Sequence, residues 1–174
     1  ANRRNDVFAV SLGDGSNKQV ATGVNGRPRL SPAAKYMYWY NRDDSSWYTY
    51  SFLNDKVNKL SDPQTVAAFD ELNDRPMIAG SYGDAGWTED DEAFLIYDRY
   101  YIWKLDPEVT TDPVNLTKGR SNKLAYRVVD LDTEEDALPA KGKLLLHRKD
   151  HNDMAEAYGN MDWKSGRLST LIAG

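Results

Sequence analysis

The residues whose chemistry stands out first in this chain are three carboxylates, Asp70, Glu71 and Asp74, set close together in a polar segment. Carboxylate oxygens at this spacing could hold a cation or the amino terminus of a substrate, although the spacing does not match an EF-hand loop. A solvated loop is the alternative interpretation. The surrounding segment, residues 62–86, is longer than a tight connection needs, and long connections often carry function. We therefore predict a candidate substrate-facing loop at these three carboxylates.

The two histidines, His147 and His151, form a second group with chemical potential because they lie four residues apart. On a helix this spacing could begin a metal site, with Asp150 or Asp153 as a third ligand. However, His147 ends an apolar strand-like run and His151 sits in a polar loop. Surface histidines are the favoured interpretation, and we predict neither a metal site nor a cofactor.

No catalytic residue is expected from the nucleophile patterns. A serine on a strand-to-helix elbow needs G-x-S-x-G, and the nearest string, Gly80-Ser81-Tyr82-Gly83, lacks the residue between glycine and serine. The chain has no cysteine, which excludes a thiol nucleophile and thiolate metal sites. The net charge of -5 argues against a nucleic-acid partner. No apolar run reaches the roughly 18 residues of a spanning helix, so no membrane span is expected.

A repeated framework of strands must position these residues. A short turn-forming stretch runs into an apolar strand-like run three times, at residues 31–40, 87–97 and 138–147. The turns recur near residues 32, 88 and 139, and a period of about 50 residues is typical of a propeller or another repeat array. The chain is also rich in aromatic residues, with 11 tyrosines and 5 tryptophans, which suit strands.

Propeller blades are four-stranded sheets, and a closed ring needs about four to eight of them. We therefore predict an all-β fold, a partial β-propeller of about three four-stranded antiparallel blades, belonging to a longer protein. The expected divisions are the end of one blade at 1–26 and further blades at 27–80, 81–131 and 132–174. An open arc leaves strand edges bare, so we expect self-association or pairing with the missing remainder.

Three other patterns have structural interpretations that compete with functional ones. Trp39, Trp47, Trp87 and Trp103 could stack on a carbohydrate, but packing within and between blades is favoured. The acidic run at residues 89–92 occupies a turn, where polar residues are expected. Asn115-Leu116-Thr117 is formally a glycosylation sequon, yet it falls in a closing strand where Thr117 corresponds to Ser61 of the previous unit.

One stretch carries a family resemblance. The run Ala85-Gly86-Trp87-Thr88-Glu89-Asp90-Asp91-Glu92, with Tyr97-Asp98-Arg99-Tyr100 and Ile102-Trp103-Lys104-Leu105-Asp106-Pro107, resembles the N-terminal propeller of prolyl oligopeptidase family serine peptidases. The long members from Bacteroidetes-type organisms are the most similar. Ser31-Pro32, Pro113-Val114-Asn115-Leu116-Thr117 and Val129-Asp130-Leu131-Asp132 continue the resemblance, which runs from about residue 28 to the end. The blade motif itself is shared with TolB-like propellers.

The resemblance implies a role for the chain without catalysis of its own. In that family the propeller precedes an α/β-hydrolase domain with a Ser-Asp-His triad and limits access to peptides or flexible ends. The implied partners are the rest of the propeller, the hydrolase domain and, through the parent protein, a peptide substrate; the implied location is periplasmic or secreted. The alternative is a TolB-like or WD-repeat-like interaction propeller with no peptidase partner. A polysaccharide lyase propeller using metal-bound carboxylates and histidines is a third hypothesis.

Overall fold

The computed structural model describes residues 4–131 and 134–173, and it is built almost entirely from antiparallel strands. The strands form one two-stranded and three four-stranded sheets that succeed one another along the chain. Within the described ranges, the only helical segments are the 3-10 turns Glu89–Asp91 and Arg120–Asn122. No helix there is long and apolar enough to cross a membrane. The prediction of an all-β partial propeller of about three four-stranded antiparallel blades is confirmed.

Each four-stranded sheet is a blade whose strands pair in chain order from one edge to the other. The two-stranded sheet joins β1 (Asn5–Val10) to β2 (Asn17–Val24). The first blade comprises β3 (Arg29–Leu30), β4 (Tyr36–Asn41), β5 (Ser46–Ser51) and β6 (Lys56–Lys59). The second blade comprises β7 (Asp84–Trp87), β8 (Phe94–Tyr97), β9 (Ile102–Leu105) and β10 (Val114–Asn115). The third blade comprises β11 (Leu124–Val128), β12 (Lys143–Asp150), β13 (Glu156–Asp162) and β14 (Leu168–Ala173).

The pairing of β11 corrects one expected blade boundary. We expected a division between residues 131 and 132, which would leave the strand near residue 124 in the second blade. In the structure β11 instead pairs with β12, from Leu124 opposite Asp150 to Val128 opposite Leu146. The fourth strand of the second blade is β10, which pairs with β9. The acidic residues Glu134, Glu135 and Asp136 therefore lie in a connection within the third blade, and Asp132, the other acid of this run, lies outside the described residues.

The first blade is apolar on both faces because it is packed between two neighbours. Met37, Trp39 and Tyr50 pack with Val7 and Val24 of the two-stranded sheet. The alternate side chains of the same strands form a second cluster with the second blade, which contains Tyr38, Tyr40, Trp47, Trp87 and Phe94. Burial of each large apolar side chain contributes roughly 1.5–3 kcal/mol, so these layers supply much of the stability of the arc. The apolar run at residues 36–40 reflects this double burial.

Two hydroxyl contacts recur at equivalent places in successive blades. The backbone N–H of Trp47 donates to Ser61 Oγ at 2.9 Å, and that of Ile102 donates to Thr117 Oγ1 at 3.1 Å. Both hydroxyls are buried, with Thr117 at 0% exposure. The correspondence expected between Ser61 and Thr117 is thus visible as one repeated hydrogen bond, and the sequon threonine is an interior residue.

A buried carboxylate fixes the first blade against the second. Asp91 is 2% exposed and accepts hydrogen bonds from Ser31 Oγ at 2.6 Å and from the backbone N–H groups of Ala33 and Lys35 at 3.1 Å each. Ala34 and Asp91 adopt positive φ angles of 55° and 54° in the two turns. Asp91 therefore does more than form its own turn, because its carboxylate caps the turn of the preceding blade.

Candidate functional site

Several interacting charged side chains lie at one end of the blades, which we call the loop end. In an up-and-down sheet, alternate connections lie at the same end. The loop end therefore carries the hairpins between second and third strands, residues 42–45, 98–101 and 151–155. It also carries the connections between blades, residues 60–83 and 116–123. All three predicted substrate-facing carboxylates, Asp70, Glu71 and Asp74, lie on the first of these connections.

The connection at residues 60–83 is anchored at its base and open at its tip. Val66 and Ala68 are fully buried, and Phe69 forms an isolated antiparallel bridge with Ser81. The Tyr82 N–H donates to the Ala68 carbonyl at 2.9 Å, which closes the base. Residues 65–72 form turns with this single bridge and neither a helix nor a longer strand. The polar tip borders a groove that also contains Arg42 of the first blade.

Glu71 belongs to a charged network that ties the tip of this connection to the second blade. Arg120 lies 3.1 Å from a Glu71 carboxylate oxygen and 3.0 Å from Asp98 Oδ2. Burial would lower the pKa of Arg120, but the hydrogen bonds and charges of Glu71 and Asp98 raise it above its usual range. The guanidinium also lies 5.2 Å from the ring centre of Tyr100. Glu71 is therefore the partner of a fixed cation rather than a free acid.

Asp98 is the buried centre of this network, at 1% exposure. Its Oδ1 accepts from the N–H groups of Tyr100 at 2.7 Å and Tyr101 at 2.6 Å. Its Oδ2 accepts from Trp103 Nε1 at 3.0 Å and from Arg120. A carboxylate is the side chain that can satisfy four donors at once, so Asp98 shapes the hairpin at residues 98–101.

A second half-buried cation, Arg127, joins the third blade to the same hairpin. It donates to the carbonyl oxygens of Tyr126 at 2.7 Å and Asp98 at 3.1 Å. Its guanidinium also lies 4.5 Å from the ring centre of Tyr97. Burial lowers the pKa of Arg127, while the charges of Tyr97 and Asp98 counteract that effect. These contacts make Arg127 a positioning cation of the loop end.

Asp70 and Asp74 differ from Glu71 because they face a groove. Asp70 Oδ1 accepts only from the nearby Leu72 N–H at 3.0 Å, and Asp74 makes no ion pair with a described residue. The groove has a volume of about 420 Å³, and its charged lining consists of Asp70, Asp74, Arg42 and Arg75. The structure thus separates the predicted group into one paired carboxylate and two that form no ion pair with a described residue.

Sequence reasoning missed a second, cationic cleft beside this groove. It lies between the start of the first blade and residues 80–81, with a volume of about 670 Å³. Arg27, Arg29 and Arg42 line it, together with the aromatic rings of Tyr40 and Trp47. The available signal was the position of Arg27 just before one strand, Arg29 at its start and Arg42 just after the next strand. Only the pairing of β3 with β4 brings the three arginines to the same end.

The two histidines lie apart from this end's grooves. His147 Nε2 is 3.2 Å from a Glu156 carboxylate oxygen on the neighbouring strand, and the His147 ring packs at 5.2 Å against Tyr158. His151 is exposed in the hairpin at residues 151–155, where its ring contacts Tyr100 at 5.7 Å. Among the described residues, no group of three or more metal-binding side chains comes together.

The four tryptophans singled out by sequence serve packing. Trp39, Trp47 and Trp87 are at most 3% exposed, and Trp87 stacks on Tyr36 with ring centres 5.4 Å apart. Trp103 is half-buried and donates its Nε1–H to Asp98. These rings pack within and between blades and do not form an open stacking platform, although Trp47 also borders the cationic cleft. Ser81, in the incomplete nucleophile string, accepts a hydrogen bond from the Gly83 N–H at 2.8 Å.

Comparison with known proteins identifies a likeness of fold. No family model and no curated protein matches the chain. Among solved structures, the crystal structure of TolB from Acinetobacter baumannii is similar, with a TM-score of 0.50 and 18% sequence identity. The match covers 98% of this chain and 38% of TolB, so the chain spans well under half of that protein. At this identity the likeness shows the fold, a TolB-like β-propeller.

Proposed function

We propose that this chain is a non-catalytic propeller segment that controls the access of polypeptides to a larger protein through its loop end. The observation that supports the proposal is the exposure of apolar side chains on two sheet faces, one on the two-stranded sheet and one on the third blade. Both expose apolar side chains of the kind that the internal blade contacts bury. Further blades of the parent protein would cover them, as successive blades do within the chain.

The outward face of the third blade gives the clearer case. Tyr158 pairs in register with both His147 and Ile172, so these side chains lie together on one face. Tyr158 is 43% and Ile172 68% exposed. On the opposite face, which packs on the second blade, Leu144, Leu146 and Met161 are at most 2% exposed. An exposed apolar patch of this kind marks an interaction surface.

The first sheet repeats this asymmetry at the other end of the arc. Val7 packs inward on the first blade, whereas Phe8 and Val10 point outward and are 47% and 58% exposed. Two unpaired apolar faces at opposite ends favour a segment placed inside a larger ring over a module that works alone.

For the parent, we propose a prolyl oligopeptidase-like serine peptidase, exported to the periplasm or secreted. The support is the resemblance carried by residues 85–92 and 97–107. In such a protein an α/β-hydrolase domain performs the chemistry, and the propeller admits peptides or flexible ends. The TolB likeness supports a second candidate, an interaction propeller that binds a protein partner and has no peptidase domain.

The downstream sequence of the gene separates these two candidates. A G-x-S-x-G motif within a hydrolase pattern supports the peptidase parent, and its absence supports the interaction propeller. The chain by itself is expected to hydrolyse no peptide. Hydrolysis that is abolished by a serine-directed inhibitor would overturn the non-catalytic assignment.

A sedimentation experiment tests the outward faces. The chain should self-associate at micromolar concentration, and Ile172→Asp combined with Phe8→Asp should shift it to the monomer. A wild-type chain that stays monomeric at all accessible concentrations would contradict the proposed interaction faces.

A further inference from the structure

The side chains that line the cationic cleft indicate what kind of ligand could bind at the loop end. Its side-chain donors include Arg27, Arg29 and Arg42, and no acidic side chain among the described residues lines it. This composition is unusual in a chain with a net charge of -5. The cleft therefore offers a concentrated set of donors to an anion.

Two of the three guanidiniums are free to bind. Arg29 Nη2 lies 2.5 Å from Asp84 Oδ2, and its guanidinium rests over the Tyr38 ring at 4.7 Å. Arg27 and Arg42 are exposed, and neither forms an ion pair with any residue in the described ranges. Arginine presents paired N–H groups that match the two oxygens of a carboxylate.

The backbone that carries these arginines is fixed before any ligand binds. The Arg42 N–H donates to the Asn25 carbonyl at 3.0 Å, and Asn25 Nδ2 donates to Asp43 Oδ1 at 2.8 Å. A Cβ on Gly26 would lie 2.1 Å from the Tyr40 carbonyl oxygen, so the two segments approach as closely as glycine allows. A preorganised site loses less entropy on binding.

A buried donor without a described partner also lies beside the cleft. Trp47 is 3% exposed, and its indole Nε1–H finds no acceptor among the described residues. Buried donors normally have partners, because an unmade hydrogen bond costs free energy. Ser81 Oγ accepts from the Gly83 N–H, which leaves its own proton available to donate.

We propose that this cleft binds the carboxylate of a polypeptide, held by Arg27 and Arg42, with the adjoining apolar side chain against Tyr40 and Trp47. The carboxylate could be a chain terminus or the side chain of an acidic residue. The inference rests on the proposed function, since it names what the loop end accepts. Its test measures binding alone and is independent of the identity of the parent protein.

The experiment is a titration of the ¹⁵N-labelled chain with three short peptides of one apolar sequence. The first has a free carboxyl terminus, the second a carboxamide, and the third a carboxamide with one internal glutamate. The indole N–H resonance of Trp47, assigned by its loss in Trp47→Phe, reports on the cleft. The peptide with the free terminus, or the one with glutamate, should shift this resonance, and the neutral peptide should bind at least about tenfold more weakly.

Variants assign the effect to the cleft. Arg27→Gln and Arg42→Gln should each weaken the carboxylate peptide by roughly tenfold. Arg75→Gln is the matched control, because it removes an exposed arginine from the same end but from the neighbouring groove, and should change affinity less than about twofold. Circular dichroism verifies that each variant is folded.

The shifted resonance identifies the source of the carboxylate. A response to the free terminus alone assigns the cleft to chain ends, and an equal response to glutamate assigns it to carboxylates in general; either supports the proposal. Equal binding of the neutral peptide, no binding up to about 10 mM, or equal losses in Arg75→Gln and Arg42→Gln would overturn it.

Discussion

Replacement of Asp98 by asparagine is the most informative test of how the loop end is built. The aspartate is buried, and its two oxygens accept four hydrogen bonds, two from backbone N–H groups and one each from Trp103 and Arg120. Asparagine has one carbonyl oxygen and an NH₂ group. If the oxygen keeps the two backbone donors, the NH₂ group must face the indole and guanidinium donors, so two hydrogen bonds are lost.

The size of the effect follows from these contacts. A hydrogen bond to a charged group is worth about 1.5–3 kcal/mol and a neutral one about 1 kcal/mol. The Arg120 side chain is 37% exposed and keeps Glu71, so water relieves part of the loss. We expect Asp98→Asn to lower the free energy of unfolding by about 3 kcal/mol. Glu71→Gln removes only the partly exposed pair with Arg120 and should cost about 1 kcal/mol or less.

Urea unfolding followed by tryptophan fluorescence measures both effects, and a double-mutant cycle isolates the pair. Asp98→Asn and Arg120→Gln should be coupled by at least about 1 kcal/mol, because each removes the same contact. Asp74→Asn, which changes an exposed carboxylate on the same end, is the control and should have almost no effect. A loss for Asp98→Asn no larger than that for Glu71→Gln, or strictly additive losses in the cycle, would refute the assignment of Asp98 as the buried centre.

Three further predictions test other parts of the framework. Asp91→Asn should lower the free energy of unfolding by about 2–3 kcal/mol, because the carboxylate accepts three inter-blade hydrogen bonds. Ser31→Ala should lower it by about 1 kcal/mol, because the hydroxyl supplies only one of these bonds. Calorimetry measures both losses, and equal losses would contradict the prediction. Gly26→Ala should cost at least about 2 kcal/mol, since its Cβ would lie 2.1 Å from a carbonyl oxygen, whereas Gly80→Ala meets no atom within 4 Å and should be close to neutral. Partial burial would raise the pKa of Asp106, but hydrogen bonds from a neighbouring hydroxyl and neighbouring N–H groups hold it below 3.8. The folded state therefore favours the carboxylate, and its stabilisation is present above the unfolded pKa and lost as pH falls through the folded value. Asp106→Asn should accordingly flatten the acid limb of stability below about pH 5, and an unchanged limb would contradict the pKa shift.

The repeated sheet architecture could be predicted because it depends on local sequence patterns, namely apolar runs and the turns that precede them. The apolar runs at residues 36–40 and 94–97 are inner strands buried on both faces. The turns that precede the inner strands recur about every 50 residues. The sheet to which β11 belongs could not be read in this way. Its apolar pattern fits either neighbouring blade, and only the hydrogen bonds with β12, across a long connection, decide the question.

The candidate site was less accessible to sequence reasoning because its contacts join distant residues. Glu71 stands beside Asp70 and Asp74 in the chain, yet its partner Arg120 lies 49 residues away. Asp91 looked like one more polar residue of an acidic turn, and its three bonds reach back to a turn more than 50 residues earlier. Spacing along the chain carries no information about such pairings, which depend on how consecutive blades pack.

The charges of the loop end therefore divide into two groups with different roles. Asp98, Glu71, Arg120 and Arg127 satisfy one another and the backbone, so they hold the second and third blades in place. Asp70, Asp74, Arg27 and Arg42 form no such pairs in the described structure. They border two adjoining openings that share Arg42 and Gly80, one with acidic and basic walls and one purely basic. Under the proposed binding of a carboxylate, substitution of the unpaired Arg27 or Arg42 should change affinity, while changes in the paired network should act through stability.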